Sequence, residues 1–381
     1  MRIAIDVRHL THPNLSGVGQ YTLHLVRALS RLAPDDRFVL FASGTAPTLA
    51  RLPALAAPNI EVVTKAIPNR ALFALLKTPG GPALESFLPG RVDAWLFPDG
   101  NIIRTRLPYA LTVHDLSYDI FPQFFTAKDR LRNRVAGLRR LAEGADTLLA
   151  VSRSTALDLT HRWGIADDRI VVTPLGVGPQ FVPSRAPSDT NYQRGYGLNA
   201  PYLLSLATLE PRKNIESVIE AYGAFRQATG HKVRLAIGGG KGWKYKEIFA
   251  AAAASPFAHD IIFLGYVHEK HKPALYRGAR AFLFPSFYEG FGLPVLEAMA
   301  SGTPVVTSAT SSLPELTGDA AVLVDPMNVT DVAVALEELL ASPGADALRA
   351  MLVRRGLTRA RQFHWDRTAS LTLDALRALT A

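Results

Sequence analysis

Residues 286–308 read SFYEGFGLPVLEAMASGTPVVTS, with Glu289 and Glu297 on either side of a Gly-Phe-Gly-Leu-Pro turn. Two glycines and a proline between the carboxylates forbid one continuous helix. The pattern therefore places Glu289 in a loop and Glu297 in the first turn of a helix opened by Pro294. Bare backbone N–H groups and the positive end of that helix then lie close to whatever Glu297 holds. Such a site suits an anionic ligand that also bears hydroxyls, which describes a nucleotide sugar. The plainer alternative makes Glu297 a favourable acid near a helix start and Glu289 a solvated loop residue.

This stretch follows the apolar run RAFLFPS, and the residues before it repeat one alternation. RIAIDV, RFVLFA, IEVVTKA, DAWLFP, YALTVHDL, TLLAVS and RIVVTPLGV are β-rich runs separated by amphipathic segments; YLLSLATL, VRLAIGG, IIFLGY, RAFLFPS, PVVTSA and AAVLVD resume the pattern. The alternation indicates parallel sheets covered by helices. Between the halves, VPSRAPSDTNYQRGYGLNAP loses apolar periodicity and reads as a connection. The expected fold is α/β: two Rossmann-like domains, residues 1–184 and 185–364, facing each other across a cleft, with a last helix, 365–381, packing back onto the first. Ile215, Val218, Ile219, Tyr222 and Phe225 form one apolar helix face, with Asn214 as its N-cap. Open sheets of this kind bind ligands at their strand C-terminal ends, so the chemistry is expected in the cleft.

The chain has 381 residues, 48% of them hydrophobic, and no cysteine. Disulfides, thiol catalysis and cysteine-ligated zinc are excluded. Charged residues, Gly or Pro interrupt every apolar run, and the start MRIAIDVRHL carries Asp6 and Arg8, so a cytoplasmic protein is expected. A net charge of +9 implies an anionic partner. Lys128, Arg130, Arg132, Arg134, Arg139 and Arg140 crowd a helix predicted over 128–141, either a membrane-surface helix or a solvated face whose Leu131, Val135, Leu138 and Leu141 pack inward.

Four further motifs carry candidate chemistry. In ATLEPRKNIESV, Arg212 and Lys213 sit between a strand and a helix start, where they could bind a diphosphate and neutralise charge on a departing nucleoside diphosphate; an exposed basic turn is the alternative. Glu297 could accept hydrogen bonds from ribose hydroxyls, and Glu289 could reach a transferred sugar. In LSGVGQYTLHL, Gly17 and Gly19 precede a helix expected to start near Gln20 or Tyr21, allowing close backbone approach to a phosphate or sugar. In YALTVHDLSYD, His114 and Asp115 end a strand: His114 could bond the transferred sugar and Asp115 orient the acceptor or the histidine, or His114 could merely cap the strand. GGGKGWKYKEI offers Gly240 and Trp243 to a base pocket, or a tight turn. No acidic metal clamp ends a strand, so no metal or other cofactor is expected.

With these motifs in order along two α/β halves, the chain resembles the retaining glycosyltransferases of the GT-B fold, often called glycosyltransferase family 4. The pair of glutamates in YEGFGLPVLE is the most specific element, supported by LEPRKN, VHD, PLGV and the N-terminal glycines. The resemblance implies an acceptor-binding first domain and a nucleotide-sugar-binding second one. It implies Glu297 on the ribose, Glu289 with the amides near Phe291, Gly292 and Leu293 on the donor sugar and phosphates, Arg212 and Lys213 on the diphosphate, and His114 beside the reacting carbon. Departures exist: Ala207, Thr208 and Leu209 replace a common Gly-Arg-Leu, leaving more of the diphosphate to Arg212, and Gly178 stands where many members have Asp. LEPRKN, GGKGW, YRGARAF and SSLPEL resemble mannosyltransferases of bacterial O-antigen and exopolysaccharide assembly. That implies GDP-mannose as donor, ahead of GDP-rhamnose, dTDP-rhamnose or a UDP-hexose, and a saccharide or lipid-linked saccharide as acceptor, with no nucleic-acid partner. A non-catalytic anionic-lipid or nucleic-acid binder would instead show steep salt dependence and no turnover.

Overall fold

A computed structural model describes residues 1–13 and 15–380. The chain forms two compact units: Met1–Tyr118 with Ala127–Gly176 and His364–Ala381, and Asp119–Thr126 with Val177–Phe363.

In the first unit, seven parallel strands are ordered β3-β2-β1-β4-β5-β6-β7. They are β1 (Arg2–Asp6), β2 (Arg37–Ser43), β3 (Ile60–Lys65), β4 (Ala94–Phe97), β5 (Tyr109–Val113), β6 (Thr147–Ala150) and β7 (Ile170–Val172). The central strands are buried along almost their whole length, as the unbroken apolar runs require of a sheet covered on both faces. The helix Trp365–Thr380 belongs to this unit and packs on the helix Gly17–Leu32, its Trp365 ring stacked on His24 at 5.0 Å. Of the expected last helix, Ala381 lies outside the described residues.

The second unit holds six parallel strands ordered β10-β9-β8-β11-β12-β13: β8 (Tyr202–Leu206), β9 (Arg234–Gly238), β10 (Ile261–Gly265), β11 (Phe282–Phe284), β12 (Val305–Ser308) and β13 (Val322–Val324). The expected face of the helix Ile215–Thr229 packs on Leu203, Leu235 and Ile237. Two helices not singled out in the sequence, Val329–Leu340 and Ala345–Ala360, complete the covering.

The division differs from the expected one. It falls at Gly176/Val177 rather than 184/185, because the supposed connection is built into the second unit. Residues Asp189–Gly195 form a helix whose buried Asp189 takes a two-pronged ion pair from Arg277, Nε–Oδ2 2.7 Å and Nη2–Oδ1 2.6 Å. Asp119–Thr126 also belongs to the second unit, although the strands on either side of it in sequence, β5 and β6, belong to the first. Its aromatic side chains decide this: Phe121 lies 5.8 Å from Tyr288, Phe124 stacks on Phe287 at 5.2 Å and Phe125 meets Trp243 at 5.1 Å. Trp243 Nε1–H donates to the Phe124 carbonyl at 2.7 Å and clamps this segment.

The predicted basic helix over 128–141 is two helices, Ala127–Ala136 and Leu138–Gly144, broken at Gly137 with φ 70°. Leu131 and Val135 do not pack inward; they are 62% and 48% exposed.

Candidate active site

The strand order of the second unit reverses between β8 and β11, and at such a switch point the loops leaving the two strands part and open a crevice. Those loops carry Arg212 with Lys213, and Glu289. The structure joins them into one buried ionic cluster. Lys213 Nζ lies 2.5 Å from Glu289 Oε1, and Arg212 Nη1 lies 3.1 Å from Glu289 Oε2 and 2.7 Å from the Tyr288 carbonyl. Arg212 Nη2 reaches Glu210 Oε1 at 2.9 Å. Burial alone would raise the Glu289 pKa, but the charges of Lys213 and Arg212 outweigh it and hold the carboxyl below its usual value. Glu210, 2% exposed, goes the other way: burial raises it against the same two cations. Glu210 is the member the sequence reading missed; its place two residues before Arg212 in LEPRKN was the available signal.

Glu289 is 7% exposed, so it is not a solvated loop residue. The run ATSS after β12 ties it down. Its amide donates to Ser311 Oγ at 3.0 Å, Ser312 Oγ shares its proton between the Glu289 and Phe291 carbonyls at 2.9 and 3.0 Å, and Thr310 Oγ1 bonds the Phe287 carbonyl at 3.1 Å.

The turn ends at Gly292, whose φ of 107° suits glycine and whose Cβ would meet Leu313 Cδ2 at 2.7 Å. It caps the helix Leu293–Ala300. Among the described residues, the amides of Phe291, Gly292 and Leu293 have no hydrogen-bond partner, giving three successive donors beside the cationic pair. The Phe291 ring packs edge-on against Phe363 at 5.8 Å.

Glu297 lies in the second turn of this helix, not the first, because the helix starts at Leu293 rather than at the proline. It is 7% exposed; Tyr276 O–H donates to its Oε2 at 2.9 Å, and Lys272 Nζ stands 3.8 Å from its Oε1. Burial raises its pKa to about 7, with Lys272 opposing and Glu269 adding to the rise.

Asn214 starts the helix Ile215–Thr229 but does not cap it with its side chain. Held at φ 56°, it donates instead to the Pro285 and Pro326 carbonyls at 3.1 and 2.8 Å, tying the loops after β11 and β13 to the cationic turn. Gly240 accepts the Leu209 amide at 2.9 Å and so braces the approach to Glu210; the constrained glycine is its neighbour Gly239, whose Cβ would sit 1.7 Å from the Ala207 carbonyl.

His114, Asp115, Gly17 and Gly19 lie in the first unit. His114 follows β5; since a carbonyl only accepts, its Nε2–H donates to the Pro98 oxygen at 2.8 Å. The Tyr21 ring meets it edge-on at 4.9 Å. Asp115 Oδ1 accepts from the Ser117 amide and hydroxyl at 2.9 and 2.6 Å, a local turn bond. Gly17 and Gly19 are not a turn before the helix. Ser16 caps it, accepting from the Gly19 amide at 3.4 Å, so both glycines fall inside the first turn.

Two Rossmann-like parallel-sheet units are the architecture of the GT-B fold, and the chain belongs to the GT-B glycosyltransferases. The model of Glycosyl transferases group 1 matches residues 191–359, and that of Glycosyltransferase Family 4 matches residues 15–181. The chain is 32% identical to the O-antigen chain mannosyltransferase B of Escherichia coli, over all of both proteins. In fold it is similar to WaaG, a glycosyltransferase involved in lipopolysaccharide biosynthesis, with a TM-score of 0.74 over 98% of this chain and 99% of the other at 16% identity. It is likewise similar to Anabaena HepE solved with UDP and glucose, with a TM-score of 0.72 over 98% and 99% at 20% identity.

Proposed function

We propose that the enzyme transfers a hexose with retained configuration, mannose from GDP-mannose, to a saccharide or lipid-linked saccharide acceptor during assembly of a surface polysaccharide. The observation that carries this reading is the cluster of Arg212 and Lys213 on Glu289. Two cations already paired with a buried carboxylate form a preorganised site for a diphosphate. As the bond between sugar and phosphate breaks, negative charge grows on the leaving diphosphate. Fixed donors aimed at that charge stabilise it most at the transition state. The amides of Phe291, Gly292 and Leu293 add donors for phosphate and sugar oxygens, Glu289 accepts from sugar hydroxyls, Glu297 from the ribose, and His114 from the sugar in transfer.

Arg212 and Lys213 perform the electrostatic work that a divalent ion does in other transferases, so transfer is expected to continue in excess EDTA. Likeness over the full length to an O-antigen mannosyltransferase supports the donor and pathway. A panel of nucleotide sugars, read by nucleoside diphosphate release, tests this. GDP-mannose turning over fastest supports the reading; preference for GDP-rhamnose, dTDP-rhamnose or a UDP-hexose replaces the donor.

No described helix is long and apolar enough to cross a membrane. The basic helix Ala127–Ala136, with Leu131 and Val135 exposed among Lys128, Arg130, Arg132 and Arg134, is proposed as the contact with an anionic membrane surface carrying a lipid-linked acceptor.

A further inference from the structure

Tyr276 and Lys272 stand one turn apart on the helix Lys272–Gly278, where side chains four residues apart share a face. Tyr276 is fully buried and its ring is fixed edge-on between Phe282, at 5.2 Å, and Phe181, at 6.0 Å. Its own carbonyl accepts from Thr303 Oγ1 at 2.7 Å. From this rigid mount its hydroxyl holds Glu297 Oε2 at 2.9 Å. Lys272 Nζ is held by Glu269 Oε1 at 2.6 Å, which parks the ammonium 3.8 Å from Glu297 Oε1. Tyr276 takes one acceptor position on Oε2, and Lys272 at 3.8 Å is too far to hydrogen-bond Oε1, so both oxygens can still accept from a ligand. Two such positions, side by side on one planar group, match the vicinal hydroxyls of a ribose.

We propose that Tyr276 and Lys272 are positioning residues for the ribose of the donor nucleotide: Tyr276 fixes the plane of the Glu297 carboxylate and Lys272 sets a cation beside its other oxygen. This rests on the reading of Glu297 as the ribose acceptor. Glu297 binds hydroxyls well only as the anion, and burial works against the anion. The groups that decide its titration are Lys272 and Tyr276 on one neighbouring helix and Glu269 in the loop before it. From Leu313–Thr317, Ala345–Ala360, β11 and β12, which also pack on its helix, no ion pair to Glu297 is present among the described residues. Lys272 itself is raised, burial being outweighed by Glu297 and Glu269, so it stays charged throughout the range in which Glu297 titrates.

The test is calorimetric affinity for GDP and UDP, and for their 2′-deoxy counterparts, from pH 5.5 to 9. It compares the wild type with Tyr276→Phe, Lys272→Met, Lys272→Arg and Glu297→Gln. For the wild type, affinity for the ribonucleotide rises with pH through a midpoint near 7, beyond the dependence kept by Glu297→Gln. Lys272→Met moves that midpoint up and weakens ribonucleotide binding about tenfold at pH 7, Tyr276→Phe weakens it severalfold, and Lys272→Arg restores the midpoint. The losses shrink with the 2′-deoxy nucleotides. Equal losses for both sugars, or an unmoved midpoint in Lys272→Met, overturn the proposal while a ribose-specific loss in Glu297→Gln leaves the ribose reading standing. If Glu297→Gln itself binds both sugars like the wild type, the ribose reading fails instead. Should Tyr276→Phe not fold, Lys272→Met and Lys272→Arg decide alone.

Discussion

Glu289 and Glu297 sit on the same short turn and helix, yet their surroundings drive them apart. Glu289 is gripped by two cations and stays ionised; Glu297 has a hydroxyl at 2.9 Å and an ammonium at 3.8 Å, and titrates near 7. Without ligand, an ionised Glu297 therefore destabilises the fold. An acid whose folded pKa lies above its unfolded value contributes stability that is complete below the unfolded value and lost as pH rises through the folded one. Between pH 4.5 and about 7 the wild type loses that contribution, and Glu297→Gln does not. The melting temperature of Glu297→Gln is expected to match or trail the wild type at pH 4.5 and to exceed it at pH 8.5; a constant difference across the range would contradict the assignment. That Arg212, Lys213 and the glutamate loop share the second domain was legible in the sequence, because both motifs follow strands of that domain; their ion pairing was not. Glu210, Tyr276 and Lys272 were not. Their role depends on which strands and helices lie side by side, which spacing along the chain does not state.

At the scale of elements, the loop 286–291 is held by hydroxyls from the segment after β12 and ends on Gly292. Alanine at Gly292 would combine a disfavoured φ with contact at 2.7 Å on Leu313, and should cost roughly 2 kcal/mol in denaturant unfolding. Because the strain falls between the two glutamates, donor affinity should fall as well. Unchanged stability and affinity would show that the turn relaxes freely. The helix Ala127–Ala136 is a second case. Leu131→Asp with Val135→Asp should weaken binding to anionic vesicles about tenfold or more, and leave transfer to a water-soluble acceptor near the wild-type rate. Loss of both would mean that the helix supports the fold. Its apolar spacing misled because i, i+4 periodicity identifies a face without saying what covers it.

The whole molecule is two α/β units threaded by one chain that passes between them at residues 118/119, 126/127, 176/177 and 363/364. Alternating strands and amphipathic segments made both sheets legible. The insertion of Asp119–Thr126 into the second unit was not, since it depends on rings of Tyr288, Phe287 and Trp243 that lie far along the chain. Removal of residues 364–381 would strip Trp365, Ala369, Leu373 and Leu376 from the first unit's core. At about 1.5–3 kcal/mol for each large apolar side chain, that is a substantial part of a typical 5–15 kcal/mol stability. The truncated chain should lose its first unit to limited proteolysis. A truncation as resistant as the full chain would contradict the packing described.

The central claim is that the acid-clamped cationic pair and the buried Glu297 form the nucleotide-sugar site of a glycosyltransferase. The most direct measurement is steady-state turnover of GDP-mannose by the wild type, Lys213→Ala and Glu297→Ala, each confirmed folded by circular dichroism. Lys213→Ala should lower kcat by roughly 100-fold or more, as loss of a donor to developing charge does, and Glu297→Ala should raise the donor KM at least tenfold. Wild-type constants in both folded variants would contradict the account.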